Sequence, residues 1–268
     1  MFAPTSVDEA KGVTINRAIG AERMAILDPL ILLDHATIPA ASEVVGFPRH
    51  PHRGIETLSY VLAGTVGHKD SRGSEGTVGA GGTQWMTAGN GIFHEEMLAP
   101  DADGASMLQL WFSLPADKKR IPPSYMGGPA DEVPVVESAG VNVRVVAGSF
   151  QGTSGSFTGI AVDPTVLDIR LEPNTSVEIA TRRGDATIAY IMEGSIELDD
   201  HIGRSVTLVV FTDGDTVTLT SRDKGARVFF VSARPTNEPI LQYRSFVMNT
   251  PEDIAETLAM IKAGEFGR

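Results

Sequence analysis

The stretch Thr57-Leu58-Ser59-Tyr60-Val61-Leu62-Ala63-Gly64-Thr65-Val66 returns in altered form as Thr187-Ile188-Ala189-Tyr190-Ile191-Met192-Glu193-Gly194-Ser195-Ile196. Position 187 stands against position 57, an offset of 130. Both copies are rich in β-branched and aromatic residues and carry a glycine at the same place, the pattern of a strand, a tight turn and a second strand. Thr83–Thr87 resembles Thr216–Thr220 in the same order along the chain. Self-similarity at nearly one offset marks a duplicated structural unit.

Working outward, strands are expected at Ile55–Leu62, Thr65–His68, Thr83–Thr87 and Met107–Leu114. Between them lie polar loops such as Asp70–Gly76 and the turn Gly89-Asn90-Gly91, where Gly and Asn tolerate positive φ. The layout is antiparallel and all-β, closing as a sandwich or a barrel. Residues up to about 40 read as an irregular or short-stranded lead-in that contains Leu30-Ile31-Leu32-Leu33-Asp34-His35. The expected boundaries are a first domain over 1–120, a surface linker over 121–140 and a second domain over 141–268. The linker holds Pro122-Pro123 and Gly127-Gly128-Pro129. A helix closes the second domain. Thr250 suits its N-cap, Pro251 its first position, and Glu252 and Asp253 its positive end. Ile254, Leu258 and Ile261 form its apolar stripe.

The chain has 268 residues with 34 acidic and 22 basic side chains, a net charge of -12. That balance argues against nucleic acid and anionic membranes as direct partners. Cys is 0, so neither disulfides nor thiolate chemistry is open to it. The N-terminus lacks the basic and apolar segments of a signal peptide, and no stretch approaches a membrane span. A cytoplasmic protein is the expectation.

Two short blocks carry chemistry: Arg49-His50-Pro51-His52-Arg53-Gly54 and Gly91-Ile92-Phe93-His94-Glu95-Glu96-Met97. His50 with His52, and His94 with Glu96, each have i, i+2 spacing, which on a strand aims both side chains at one face. Two such strands side by side bring three imidazoles and one carboxylate to one point, a transition-metal site. Four such ligands on an octahedral ion leave two positions for substrate and dioxygen. Donors of this type suit Fe(II), and also Mn, Co, Ni, Cu or Zn. Parity puts Glu95 on the opposite face, and Pro51 suggests an edge or bulged position. Glu56 shares the ligand face and stands open as a fifth ligand, an alternative to Glu96, or a hydrogen-bond acceptor that holds an imidazole.

His35, His68 and His201 lack partner spacing and read as structural. Arg49, Arg53 and Lys69 are candidates to orient an anionic or phenolic substrate, with ordinary surface charge as the alternative. Trp85, Met86, Phe93, Met107, Leu108 and Trp111 are candidates for apolar cavity walls. Carried through the 130-residue offset, His50 and His52 land on Ala180 and Arg182, while His94 and Glu96 fall around Arg227 and Phe229. One site per chain, in the first half, is therefore expected.

His50-Pro51-His52-Arg53-Gly54-Ile55-Glu56-Thr57, Gln84-Trp85-Met86-Thr87-Ala88-Gly89 with Gly91, His94, Glu96 and Met97, Leu108-Gln109-Leu110-Trp111, and the tail Phe246-Val247-Met248-Asn249-Thr250 resemble the pirin family of the cupin superfamily. The resemblance covers nearly the whole chain. It implies a bicupin: two cupin barrels packed face to face, with iron in the N-terminal one only and a short C-terminal helix. The family's ligands match His50, His52, His94 and Glu96. Glu95 departs from the small residue usual there, and Leu32-Leu33-Asp34-His35 departs slightly from the usual acidic pattern. Several bacterial pirins resemble quercetin 2,3-dioxygenases, which open a flavonol ring with dioxygen and release carbon monoxide. The resemblance thus implies an iron dioxygenase acting on flavonols or related phenolics; in such a reaction Glu96 is the candidate catalytic base for the substrate's hydroxyl proton. Animal pirins are described as iron-binding transcriptional co-regulators, so the alternative is a redox-sensing regulator that binds protein partners. A sugar isomerase is a weaker third reading, because the expected cavity walls are apolar.

Overall fold

A computed structural model describes residues 1–198 and 201–267. The chain forms two compact units, one of residues 6–130 with 236–268 and one of residues 1–5 with 131–235. The first unit is built from β1 (Thr5–Val7), β2 (Thr14–Ile19), the short helix α1 (Met24–Leu27), β3 (Leu30–Ile38), β4 (Val45–His52), β5 (Ile55–Ala63), β6 (Thr65–Asp70), β7 (Glu75–Gly79), β8 (Thr83–Thr87), β9 (Ile92–Ala99), β10 (Ala105–Ser113) and β11 (Ser124–Gly128). Seven strands run in the order β1-β2-β3-β10-β5-β8-β11, and four in the order β4-β9-β6-β7. One buried cluster takes Ile15, Ala36, Val61 and Met107 from the larger sheet and Val66, Val78 and Leu98 from the smaller. Two inner faces sharing one core is the sandwich logic expected of all-β chains. Each of the Val, Ile, Leu and Met side chains among them contributes about 1.5–3 kcal/mol by leaving water.

The second unit comprises β12 (Val135–Ser138), β13 (Val141–Ala147), β14 (Ser149–Phe150), β15 (Thr153–Ser154), β16 (Thr165–Leu171), β17 (Ser176–Ala180), β18 (Ala186–Leu198), β19 (His201–Arg204), β20 (Thr207–Val210) and β21 (Thr216–Ala233). Its sheet runs β12-β13-β16-β21-β18-β19, with β17 on β21 and β20 on β18. In β17, Val177 and Ile179 are buried while Ser176, Glu178 and Ala180 are exposed, the period of two that a half-buried strand requires. The chain then returns to the first unit as β22 (Leu241–Tyr243), β23 (Phe246–Met248) and α2 (Pro251–Ala263).

Several expectations are revised. The lead-in is short-stranded in β1 and β2 and not irregular, and it ends in the long β3, which pairs with both β2 and β10. Seven of the nine residues from Leu30 to Ile38 are buried, and the unbroken run Leu30–Asp34 hides any period of two. The 121–140 stretch holds two paired strands, β11 on β8 and β12 on β13. Residues 236–268 group with the first unit and not with 141–235. Their anchors are local: Val247 N–H donates to Arg53 O at 3.0 Å, and Lys119 Nζ donates to Val247 O at 2.8 Å and Gly54 O at 3.0 Å. Gly54 has φ +76, and a Cβ there would lie 2.0 Å from Val247 O, so only glycine lets the two backbones approach.

Helix α2 keeps its expected start. Thr250 Oγ1 accepts from Asp253 N–H, Asp253 accepts from Thr250 N–H, and Pro251 occupies the first turn. Its stripe differs, because Leu258 is 41% exposed and Thr257 is buried in its place. Thr257 Oγ1 accepts from Arg53 Nη1 at 2.7 Å and donates to Asp253 O at 2.7 Å, so a hydrogen-bonding residue faces the buried guanidinium. No helix among the described residues is long and apolar enough to cross a membrane.

The duplication is visible in the ladders. β5 lies between β10 and β8, as β18 lies between β21 and β20. The counterpart of β8 is therefore β20, and not Thr216–Thr220. That stretch opens β21 and pairs with β17, as β9 pairs with β4.

Candidate metal centre

Strand β9 alternates strictly: Ile92, His94, Glu96 and Leu98 are buried, and Phe93, Glu95, Met97 and Ala99 half-buried. Parity thus separates Glu96 from Glu95 as expected, and Glu95 lies opposite Lys69 on β6. β4 is an edge strand, the place where a chain with Pro48 and Pro51 loses least. Its ladder with β9 runs Phe47 opposite Glu96 and then His50 opposite His94. β4 spends three steps where β9 spends two, so it holds a one-residue bulge at Pro48–Arg49. The bulge has a chemical consequence. Without it, Phe47 would share a face with Arg49 and Pro51; with it, Phe47, His50 and His52 all reach the same cavity.

The donor atoms of His50, His52 and His94 lie within 4.8 Å of one another. Ring centroids are 4.4 Å apart for His50 and His94, 4.7 Å for His50 and His52, and 4.9 Å for His52 and His94. His50 Nδ1 lies 2.8 Å from Pro48 O, and His52 Nδ1 3.3 Å from Ser245 O. A carbonyl only accepts, so the network places a proton on each Nδ1 and leaves each Nε2 a bare lone pair. Those two Nε2 atoms are 2.9 Å apart. Two acceptors at that distance repel each other unless a proton or a metal ion lies between them. His94 Nε2 is buried with no hydrogen-bond partner in the protein. Burial pushes all three imidazoles below the usual histidine range, and their proximity adds to this for His52 and His94. They are therefore neutral, the form a metal needs.

Glu96 is not in the imidazole group but shares the cavity wall with His50 and His52. One of its oxygens accepts from Ser59 Oγ and the other from Gln109 Nε2. Burial raises its pKa, and those two hydrogen bonds pull the other way. Glu56 is buried and accepts from Thr87 Oγ1 at 2.9 Å; it neither joins the imidazoles nor lines the cavity.

The cavity measures about 820 Å³. Of the six expected wall residues only Trp111 lines it, its ring edge-on to His52 at 4.8 Å. Trp85, Met86, Met107 and Leu108 are core, and Phe93 packs beside Phe266 on the opposite face of β9. The other apolar walls are Leu32, Phe47, Ile240 and Leu241. Neither Arg49, Arg53 nor Lys69 lines the cavity. Arg53 is fully buried and spent on Thr257 and Asn90, and Arg49 sits over the Phe93 ring at 4.5 Å. Arg17 and Arg244 stand there instead. Arg17 is saturated by Glu9 and Asp34, each held at two points. Long-range folding brings both arginines in, and no local spacing announces it.

Residues 12–112 match the Pirin family and residues 166–267 the Pirin C-terminal cupin domain. A pirin-like protein of Caulobacter vibrioides is 36% identical over 266 residues, covering 98% of this chain and 95% of that protein. This chain belongs to the pirin family. Among other pirin relatives, a Pseudomonas aeruginosa protein provisionally named a quercetin 2,3-dioxygenase is 34% identical over 265 residues, covering 96% of this chain and 93% of its own. The crystal structure of quercetin 2,3-dioxygenase from Acinetobacter baumannii superposes with a TM-score of 0.90 at 30% identity, covering 99% of this chain and 96% of that one. The three-histidine group of this pirin is one that could hold a metal ion.

Proposed function

We propose that this pirin is a metal-dependent dioxygenase acting on a flavonol or related phenolic. His50, His52 and His94 would hold one divalent ion through their Nε2 atoms, with Glu96 as the acidic group beside them. The observation that carries this is the pair of Nε2 atoms 2.9 Å apart. Two nitrogens bound at right angles, each about 2.1 Å from one ion, are separated by about 3.0 Å. The buried Nε2 of His94 supplies the third donor. A donor set of imidazole and carboxylate fits Fe(II) and does not exclude Mn, Co, Ni, Cu or Zn. Bound there, such an ion would supply Lewis acidity toward a phenolic oxygen and an electron path between substrate and dioxygen.

The chain's own residues supply the rest. Glu96, with its pKa raised by burial, takes the phenolic proton. Ser59 and Gln109 fix the direction of that carboxylate. Trp111, Leu32, Phe47, Ile240 and Leu241 give planar rings an apolar slot and keep water from them. The names of the Pseudomonas and Acinetobacter relatives point to the same chemistry. The test is anaerobic loading with Fe(II), then quercetin and oxygen, with carbon monoxide and flavonol absorbance followed together. Turnover is expected, with none in His50→Ala and a loss of about 10²–10⁴-fold in Glu96→Gln. Full metal occupancy without carbon monoxide or bleaching across a panel of phenolics would contradict the proposal.

A further inference from the structure

His68 has the same spacing to Asp70 as His50 has to His52 and His94 has to Glu96. On the β6–β9 ladder His68 lies opposite Glu96 and Asp70 opposite His94, so this third i, i+2 pair stands directly behind the site. His68 and the Asp70 side chain are buried. His94 Nδ1 is 3.5 Å from His68 Nδ1, and His68 Nε2 is 3.2 Å from Asp70 Oδ2. The far oxygen of Asp70 accepts from the backbone N–H groups of Arg72 at 2.8 Å and Ser74 at 3.0 Å, which fixes the carboxylate. Tyr125 stacks on the His68 ring at 4.0 Å and 10°, which fixes the imidazole.

One proton arrangement satisfies this chain of contacts. The Asp70 carboxylate accepts, so His68 carries its proton on Nε2 and offers Nδ1 as an acceptor. His94 must then carry its proton on Nδ1, and its Nε2 is left as a lone pair facing the cavity. We propose that His68 and Asp70 are positioning residues that hold His94 in its metal-binding tautomer. His50 and His52 obtain the same service from backbone carbonyls, of Pro48 and Ser245. Buried beneath the sheet, His94 obtains it from a side-chain relay. Such outer partners, when removed, typically weaken metal affinity 10–100-fold. This inference rests on the reading of His94 as a ligand.

The test measures cobalt(II) affinity by visible absorption against a competing chelator, with circular dichroism of the metal-free protein as the control for folding. His68→Phe keeps the stacked ring and removes the acceptor, and is expected to weaken binding 10–100-fold. His68→Asn returns an oxygen near the Nδ1 position and should recover most of the loss. Asp70→Asn turns a donor toward His68 Nε2, forces its proton to Nδ1 and sets two donors face to face. Its expected loss matches that of His68→Phe. In wild type, nitrogen-15 spectra of the zinc form should show the His94 proton on Nδ1. His94→Ala separates the two ideas. If it leaves affinity unchanged, the metal-site reading falls. If it abolishes binding while folded His68→Phe and Asp70→Asn stay within about threefold of wild type, the positioning role alone falls. Should His68→Phe not fold, Asp70→Asn alone decides by the same criterion.

Discussion

On the ladder of β4 and β9, the inward pairs of the first unit are His50 with His94 and Phe47 with Glu96. On the ladder of β17 and β21, the inward pairs of the second unit are Ile179 with Val217 and Val177 with Leu219, all four in its hydrophobic core. The same strand plan closes over polar donors in one place and over hydrocarbon in the other. The second difference lies in the ladder itself. β17 pairs with β21 without a shift, while β4 carries its extra residue at Pro48–Arg49. A one-residue change of register exchanges the faces of everything beyond it. A site therefore needs two things together, ligand residues and the bulge that turns them inward.

The largest expected effect comes from the register that the bulge sets. Inserting one glycine between Arg49 and His50 should put that glycine opposite His94 and turn His50 and His52 to the outer face. Metal titration of the insertion should show binding lost as completely as in His50→Ala, although every ligand residue remains. Retained binding would show that the register of β4 does not set the site. Next in size is an exchange of character between the units. Leu219→Glu buries a carboxylate in the second unit with no partner and should cost about 3–5 kcal/mol in urea unfolding. Glu96→Leu, its mirror in the first unit, removes a buried carboxylate but leaves Gln109 Nε2 without its acceptor, and should cost about 1–3 kcal/mol of metal-free stability, less than Leu219→Glu. Equal losses would mean that the two faces are not counterparts.

A smaller effect concerns how the first unit holds its returning segment. Lys119 Nζ donates to Gly54 O, Ser113 Oγ and Val247 O, and burial pulls its pKa down to about 7. An unfolded lysine titrates near 10.4, so between those values the unfolded state binds more protons and stability rises with pH. Below about 7 both states are protonated and the slope vanishes. Denaturation at pH 7 and pH 10 should show wild type gaining on the order of 3 kcal/mol relative to Lys119→Met. No difference in slope would mean that the ammonium is not titrating in that window.

The fold was legible where local pattern and tertiary role coincide. Thr57–Val66 and its return gave the duplication, and i, i+2 spacing gave the right face for His94 and Glu96. The cap at Thr250 needs only three neighbouring residues, and it formed as expected. Legibility fails where a contact is distant or a pattern is hidden. Leu30–Leu33 gave no period of two because both faces of β3 are buried. The offset of 130 sends His50 to exposed Ala180 and not to core Ile179, because the connection from Ile179 to Thr187 is one residue longer than that from His50 to Thr57. The likeness of Thr216–Thr220 to Thr83–Thr87 likewise sends His94 and Glu96 to Arg227 and Phe229, far along β21 from Val217 and Leu219, because that stretch is the counterpart of β9 and not of β8. Ser245, whose carbonyl orients His52, lies 193 residues away in sequence. His68-x-Asp70 was the missed signal that could have been found, since it repeats the spacing of the two ligand pairs.

The most direct test is a count of ions. Protein loaded with Fe(II) under anaerobic conditions and desalted should carry one metal per chain by elemental analysis, and none once His94 is replaced by alanine. A wild-type chain that holds no metal, or a His94→Ala chain that still holds one, would contradict the account.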